Sequence, residues 1–312
     1  MKFPILAAAL IMLLACTPPS SPASSSADAG ALAPADVGAF FDCLRENGHT
    51  IVAAHRGGPE IGYAENAIET FEHTLSLSPA LLEIDIARAK DDVLVLMHDD
   101  ELDRTTNGTG PIDQLTLEQL QDLYLEDEAG ATLAVHPPTL REALDWAAGK
   151  TILELDVKRG VAYEDVVAEV RAANAEERVI FITYSITAAI RVHRLAPELV
   201  ISTSIESEAD LDELEGARVD LTRILAWTGV EEPNSALNVA LARRGVEAMF
   251  GTLGGRDSWD NRFAREGREQ YAAFAETGLQ LISTDRVAAA ARDLDAADGV
   301  DGIGALQCVS AR

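Results

Sequence analysis

The chain is 312 residues long and has a formal net charge of −27, with 25 Lys and Arg against 52 Asp and Glu. This length is enough for one large α/β domain with a sizeable core, or for two small domains. The negative charge argues against binding of nucleic acid through its phosphates and against electrostatic docking on anionic lipid. We therefore expect no nucleic-acid partner, and the acidity is typical of a soluble protein surface.

The N-terminus has the pattern of a targeting segment that is separate from the fold. Lys2 precedes an apolar run over residues 4–14, which is too short for a comfortable membrane span. The run ends in Leu-Leu-Ala-Cys at Cys16, which resembles a bacterial lipobox and implies cleavage before Cys16 and lipidation of its thiol. An ordinary secretory signal is the alternative. We predict a lipoprotein signal peptide at residues 1–15 and an exported protein, held by lipid alone at the outer membrane or periplasmic face of a Gram-negative cell.

The rest of the chain divides into a tether and one folded domain. Residues 16–36 are rich in Ser, Pro and Ala and predict an extended tether. Residues 37–312 alternate strand-like runs with segments of helical period, which predicts a parallel sheet with crossover helices. Predicted strands cover residues 50–55, 81–86, 93–98, 151–157, 179–184, 199–205, 221–227, 247–253 and 279–284. Predicted helices include residues 66–77, 140–148, 162–173 and 262–277.

Charged residues occur in the first strands, where an apolar pattern is otherwise expected. His55 and Arg56 close the first strand, and His98 ends the third, which follows the second too closely for a helical crossover. Glu83 and Asp85 alternate on the second strand and therefore share one face. Neighbouring carboxylates raise each other's pKa unless a cation lies between them, and a hard divalent metal is the natural occupant. Two histidines, an arginine and a metal in one pocket predict phosphoryl chemistry.

The order of these motifs resembles the glycerophosphodiester phosphodiesterase family. The resemblance implies a (β/α)8 TIM barrel that hydrolyses glycerophosphodiesters, its small-molecule substrates, to an alcohol and glycerol 3-phosphate. Three further segments continue it, with Pro137 opening PPTLREAL, LELDVK at residues 153–158 and STDR at residues 283–286. The motifs in the first half are HRG at 55–57, Glu65-Asn66 in a Pro-Glu-Asn-Thr-like block, ExD at 83–85, HD at 98–99 and LDRTTNGTG at 102–110.

The catalytic roles follow from the same resemblance. It implies that His55 and His98 are the general acid and base, and leaves open which of them protonates the leaving group. Arg56 is expected to bind phosphate oxygens as a fork and Lys158 as a point charge. The alternative for both cations is that they only neutralise the neighbouring carboxylates. Trp227 resembles an aromatic residue that faces the alcohol, with barrel packing as the alternative.

The resemblance also implies one divalent cation, calcium first and magnesium next. Its predicted ligands are Glu83, Asp85 and Asp156. Family members usually carry Glu at the position of Asp156, so we expect the cation to shift, keep an extra water or recruit Glu154.

Supporting roles are predicted for three other residues of these motifs. Glu65 is expected to orient the groups that contact the substrate or the metal. Asn66 is predicted to cap the following helix. Asp285, in STDR, is predicted to be a helix cap instead of a catalytic residue.

Residues 104–138 break the alternation of strands and helices. They contain an acidic helix-like run at residues 115–124 and resemble the family's small insertion after the second strand. By position this insertion overhangs the barrel mouth. There it either shapes substrate access or forms a solvated cap without a selective role.

Two other functions remain open at this level. One is a phosphodiesterase of the lysophospholipase D or sphingolipid type, which uses an internal hydroxyl and releases a cyclic phosphate. The other is a catalytically silent binding lipoprotein that keeps the barrel as a receptor. No protein partner is inferred.

The cysteine count predicts a disulfide. If Cys16 carries lipid, Cys43 and Cys308 remain as a possible pair in an oxidising compartment. The first and last units of a closed barrel are neighbours, so these distant positions can meet. The alternative is two separate thiols.

Overall fold

The structure is a computed structural model that describes residues 1, 31–298 and 303–310. The predicted lipidation site at Cys16 lies outside the described residues, together with nearly all of the predicted signal peptide. Among the described residues, no helix has both the length and the apolar character that a membrane span requires.

Eight parallel strands close into a barrel, as the motif resemblance implied. β1 pairs with both β2 and β9, which closes the ring, and β3 runs antiparallel along the outer part of β2. The β2–β3 hairpin turns at Asp92, which has φ +64°. The strands are β1 Ile51–Ala54, β2 Leu81–Arg88, β3 Leu94–Leu96, β4 Leu153–Val157, β5 Val179–Thr183, β6 Val200–Ser204, β7 Ile224–Trp227, β8 Glu247–Gly251 and β9 Leu281–Thr284.

Helices connect the strands and cover the barrel. Polar N-caps set several of their starts, and at α4 the Thr139 side chain and Glu142 form a capping box. The helices are α1 Val37–Asn47, α2 Ile68–Leu77, α3 Leu117–Leu120, α4 Leu140–Ala147, α5 Tyr163–Ala172, α6 Ile186–Leu195, α7 Glu208–Gly216, α8 Ser235–Arg243, α9 Trp259–Glu266, α10 Tyr271–Ala275, α11 Val287–Asp298 and α12 Ile303–Leu306.

Three sequence-based boundaries were wrong. The helix predicted over residues 262–277 is two helices, because Gly267 adopts φ +64° and ends α9 before α10 begins. The helix-like run at residues 115–124 forms only the single turn of α3. The strand predicted from residue 221 starts three residues later, after a short 3-10 turn.

Helix α1 closes the N-terminal end of the barrel, which we call the base. Its Phe40 and Phe41 are buried against the apolar side chains that fill the barrel interior. Leu32 is fully buried in the same cluster and donates its backbone N–H to the Lys150 carbonyl at 2.9 Å. The predicted tether therefore ends earlier than residue 36, because Leu32 supplies apolar surface that the base requires.

The predicted disulfide is present at the base. Cys43 on α1 is bonded to Cys308, and their Cα atoms are 5.5 Å apart although 265 positions separate them in sequence. The first helix and the C-terminal segment are thus held together beneath the barrel, as the closed-ring argument required.

Strand alternation aims one set of side chains into the barrel. Along β2 and β4, Glu83 pairs in register with Glu154 and Asp85 with Asp156, so both rows point inward. The second row lies near the C-terminal ends of the strands. This end, which we call the mouth, is where barrels of this type place their chemistry.

Candidate active site

The HRG segment leaves β1 in a tight turn that faces the mouth. Arg56 has φ +52° and donates its backbone N–H to Glu83 Oε2 at 2.7 Å. Gly57 follows with φ +82°, and a Cβ there would lie 2.2 Å from the Phe71 ring. Only glycine fits this position, and the left-handed turn sends the Arg56 backbone toward the carboxylates.

His55 is held by Asp285, which is 230 positions away in sequence. The His55 Nδ1 atom is 2.7 Å from Asp285 Oδ1, and the other Asp285 oxygen accepts the Gly254 N–H at 2.9 Å. Burial alone raises the pKa of Asp285, but the bonds from His55 and Gly254 and the charges of His55 and Arg56 together outweigh burial and lower the pKa. The predicted helix-capping role was wrong. Asp285 is the site residue that sequence reasoning missed, because its partner lies across the closure of the ring.

His98 has an equivalent arrangement on the other side of the site. Its Nδ1 atom is 2.6 Å from Asp99 Oδ1. Arg104 Nε donates to Asp99 Oδ2 at 2.6 Å, and this contact, with that to His98, holds the pKa of Asp99 well below its usual range. Each histidine therefore has a carboxylate at Nδ1, and its Nε2 atom can take part in a separate hydrogen bond or proton transfer.

Three buried carboxylates meet between these elements. Glu83, Asp85 and Asp156 each supply an oxygen within 4.8 Å of the others, which confirms that the predicted ligands lie together. Burial raises the pKa of Glu83 well above its usual value, and the charges of Asp85 and Asp156 raise it further. The Lys158 ammonium lies 2.5 Å from both Asp85 Oδ1 and Asp156 Oδ2.

The donor set fits a hard cation. All three side chains offer oxygen, and Asp156 Oδ1 is buried without a hydrogen-bond partner among the residues that the structure describes. A buried carboxylate oxygen in that state is costly unless a ligand satisfies it. The cluster is therefore suited to one divalent ion with oxygen ligands.

Asn66 supports the cluster and does not cap the next helix as predicted. Its Nδ2 donates to Asp85 Oδ2 at 2.7 Å, and its Oδ1 accepts the Asp85 backbone N–H at 2.9 Å. The N-cap of α2 is Ala67, whose side chain accepts no hydrogen bond. Asn66 takes φ +58°, a conformation that asparagine tolerates better than most residues, and this turns its amide toward Asp85.

Glu65 lies where a supporting residue was predicted. Its carboxylate accepts two bonds from Arg56 Nη1, at 3.0 and 3.2 Å, and two from Arg104, both at 2.8 Å. Arg56 Nε lies 3.9 Å from Asp85 Oδ2. The Arg56 guanidinium is thus positioned between Glu65 and the carboxylate cluster.

Glu154 is fully buried and lies outside the cluster. Within the described part of the chain, neither of its carboxylate oxygens has a hydrogen-bond partner, and burial raises its pKa to about 8. The structure does not place it among the three grouped ligands. The sequence-based expectation that the cation recruits Glu154 is therefore not supported by this geometry.

Several cavities open at the site, and His55 and His98 line different ones. His55, Glu83 and Asp156 line a cavity of about 240 Å³, whose other walls are largely apolar. His98 and Lys158 line a separate cavity of about 390 Å³. His55 also lines a third cavity, of about 800 Å³, together with Arg56, Glu65 and Arg104.

The apolar walls of the first cavity come from the far strands. Trp227 lines it, and its ring covers Gly251, where a Cβ would lie 2.4 Å from the ring. Tyr184, at the end of β5, lines it as well and is largely exposed. No sequence signal separated Tyr184 from ordinary strand-end aromatics.

Comparison with known proteins places this geometry in a family. The profile of the glycerophosphoryl diester phosphodiesterase family matches residues 55–246. A glycerophosphodiester phosphodiesterase of Caldanaerobacter subterraneus subsp. tengcongensis is 33% identical over 159 residues, which is 49% of this chain and 65% of that protein. One from Bacillus subtilis is 27% identical over 178 residues, 51% of this chain and 60% of the other. This chain therefore spans somewhat under two thirds of these curated relatives.

Solved structures agree over more of the chain. A glycerophosphoryl diester phosphodiesterase from Parabacteroides distasonis has 31% identity and a TM-score of 0.77, over 85% of this chain and 94% of that one. An Oleispira antarctica phosphodiesterase, solved with the product sn-glycerol 3-phosphate, shares the fold at 19% identity and a TM-score of 0.60, over 80% of this chain and 99% of the other. The motifs, the closed barrel and these matches together show that the chain belongs to the glycerophosphoryl diester phosphodiesterase family.

Proposed function

We propose that this protein hydrolyses glycerophosphodiesters to an alcohol and glycerol 3-phosphate. The observation that carries the proposal is the pair of histidines, each bonded through Nδ1 to a carboxylate. His55 lines a cavity with Glu83 and Asp156 of the buried acidic cluster, and His98 lines one with Lys158, whose ammonium contacts that cluster. Phosphodiester hydrolysis needs a base on one side of phosphorus and an acid on the other. The activity is that of the named relatives, and family membership supports its transfer.

His55 and His98 are proposed as the acid–base pair. A carboxylate at Nδ1 favours the tautomer with its proton on that nitrogen and stabilises the imidazolium when it forms. Nε2 is then free to accept a proton from attacking water or to donate one to the leaving alkoxide. Asp285 and Asp99 act in this scheme by orienting the rings.

Arg56 and Lys158 are proposed to bind the phosphate. Both lie beside the acidic cluster, and burial lowers the pKa of Lys158 less than Asp85 and Asp156 raise it, so the ammonium stays charged.

We propose that Glu83, Asp85 and Asp156 hold one calcium ion, with magnesium as the second choice. A bound ion of this kind would supply Lewis-acid polarisation of phosphate oxygens.

The apolar cavity beside His55 is proposed to receive one of the two organic groups of the substrate. Trp227 and Tyr184 give it aromatic walls, and its volume of about 240 Å³ suits a small group.

The test is turnover of a panel of glycerophosphodiesters, followed by phosphorus NMR, with calcium or magnesium and with chelator. We expect glycerol 3-phosphate as the phosphorus product, and loss of turnover on chelation. A cyclic phosphate as the only product would redirect the proposal to an internal-hydroxyl mechanism. The absence of turnover on every diester with either metal would favour a binding protein and overturn the proposal.

We also propose that the mature protein is exported and attached by lipid at Cys16. The disulfide at the base supports export, because such bonds persist in oxidising compartments. Mass spectrometry of the purified N-terminus tests this directly. We expect a diacylglyceryl group on Cys16 and release of the Cys16→Ala protein from membranes, and an unmodified Cys16 would contradict the proposal.

A further inference from the structure

Arg104 connects the two halves of the site without lining the cluster. Its guanidinium donates from Nε and Nη2 to Asp99, at 2.6 and 3.0 Å. From Nη1 and Nη2 it donates to Glu65, at 2.8 Å each. One arginine therefore makes a two-pronged contact with each of two carboxylates, which is a geometry that only the guanidinium fork provides.

Each of these carboxylates holds one group of the proposed reaction. Asp99 contacts His98 Nδ1 at 2.6 Å, and Glu65 accepts both bonds from Arg56 Nη1. Arg104 consequently lies at the centre of a continuous chain of charged side chains. The chain runs from His98 through Asp99, Arg104 and Glu65 to Arg56.

The backbone around Arg104 is fixed, although its side chain is 48% exposed. The Thr105 and Thr106 side chains that follow are buried. Thr106 donates its N–H to the Leu102 carbonyl at 3.1 Å, and its hydroxyl accepts the Gly108 N–H at 3.0 Å. The threonines and glycine of the LDRTTNGTG motif thus build a turn that presents Arg104 to both carboxylates.

We infer that Arg104 is a positioning residue that sets His98 and Arg56 relative to each other. This inference rests on the proposed function, which assigns His98 to proton transfer and Arg56 to phosphate binding. Without Arg104, Asp99 and Glu65 lose two bonds each and repel one another as like charges. The acid–base group and the phosphate-binding group then lose their common support while their own side chains remain intact.

The test compares Arg104→Lys with Arg141→Lys. Arg141 is 47% exposed and donates a single bond to the Asp145 carboxylate at 2.9 Å, so it matches Arg104 in exposure and also contacts a carboxylate, but it lies on α4. We expect Arg104→Lys to lower kcat on the order of 10- to 100-fold, as loss of an outer support commonly does. We expect Arg141→Lys to leave kcat and KM unchanged.

Two readouts do not depend on turnover. Calorimetry should show weaker binding of inorganic phosphate to the Arg104→Lys protein, because Arg56 is less well held. Nitrogen NMR of the histidine rings should show changed His98 resonances and unchanged His193 resonances. Added guanidinium ion should restore part of the turnover of Arg104→Ala, since the site of the lost side chain is open to solvent.

These arms separate the inference from the proposed function. If the wild-type protein turns over no diester, the proposed function fails, and the role of Arg104 is decided by phosphate affinity and the His98 spectrum. If Arg104→Lys keeps wild-type turnover, phosphate affinity and His98 resonances, the inference is overturned. If Arg104→Lys loses turnover and phosphate affinity but is destabilised no more than Arg141→Lys, the result supports a positioning role over a purely structural one.

Discussion

The base and the mouth of this barrel are built from the same inward-facing strand positions, yet they differ in what those positions carry. At the base, the interior side chains are almost all apolar, and helix α1 and a disulfide close it. One ionisable residue at this end is Glu247, whose buried carboxyl group contacts Arg45 of α1. Toward the mouth, three buried carboxylates each supply an oxygen within 4.8 Å of the others.

The difference indicates that the base contributes to the stability of the fold and the mouth to its function. Burying carboxylates together costs stability, since each raises the pKa of the next and loses its water. The apolar base and the cross-link stabilise the fold in the usual way. Changes at the mouth should therefore abolish function and leave the fold intact, while changes at the base should do the reverse.

The largest expected effect is loss of the metal site at the mouth. Glu83→Gln and Asp85→Asn should each lower calcium affinity severely, because oxygen ligands are few and each one counts. Titration calorimetry measures this. Glu247→Gln, which changes a buried carboxyl at the base of the same barrel, is the matched control and should leave affinity unchanged. Equal affinity in all three variants would remove the contrast between the two ends.

Next comes the effect of the two histidines on turnover. His55→Ala and His98→Ala should each lower kcat by at least ~10²-fold, the usual scale for a general acid or base. Their melting temperatures should stay near that of the wild type, because both rings lie at the rim. His193→Ala, on the outer helix α6, should keep full turnover. Near wild-type kcat in either mouth variant would refute that residue's role.

The third effect belongs to the base. Replacing Cys43 and Cys308 together by serine should lower the free energy of unfolding by a few kcal/mol, with about 5 as the limit of the chain-entropy estimate. Urea unfolding with and without reductant measures it, and reductant should change only the wild-type protein. Turnover at 25 °C should not change. A lower kcat in the folded double variant would mean that the base also controls the mouth.

The smallest effect over a single pH unit is a pH dependence at the base. Burial raises the pKa of Glu247 from 4.5 to about 8, although Arg45 opposes this. Between these values the unfolded chain releases the proton and the folded protein keeps it, so stability falls as pH rises, by at most about 1.4 kcal/mol per pH unit. Glu247→Gln should flatten this slope in urea unfolding between pH 5 and pH 8. Glu46→Gln, on the exposed side of the same arginine, should not, and equal slopes would show that Glu247 is ionised in the fold.

Much of the mouth was readable from the sequence because its motifs are local. The spacing of Glu83 and Asp85 alone places both side chains on one strand face, and Asp156 repeats the pattern on the neighbouring strand. The predictions that were wrong concern residues whose contacts cross the closure of the ring. Asp285 meets His55 only because β9 pairs with β1, and no local pattern records which of the possible partners a carboxylate will take.

For some wrong predictions the sequence did carry the correct signal, but the apolar periodicity obscured it. The apolar period continues across residues 262–277, but Gly267 in that run is a helix-ending residue, and it ends α9. Asn66 looked like a cap because it precedes a helix, whereas the buried Asp85 offers its amide both a donor and an acceptor. In both cases a specific tertiary or backbone requirement overrode a general preference.

The disulfide also determines how the molecule responds to tension. Cys43 and Cys308 are 265 positions apart, so the bond encloses nearly the whole barrel in a covalent loop. A pull applied between residues 31 and 310 passes from α1 through the sulfur bridge to the C-terminal segment and bypasses every strand. While the disulfide is intact, the loop between Cys43 and Cys308 cannot be pulled out, which prevents roughly 900 Å of chain extension. A pull applied at both ends would therefore leave the strands that carry the site without load.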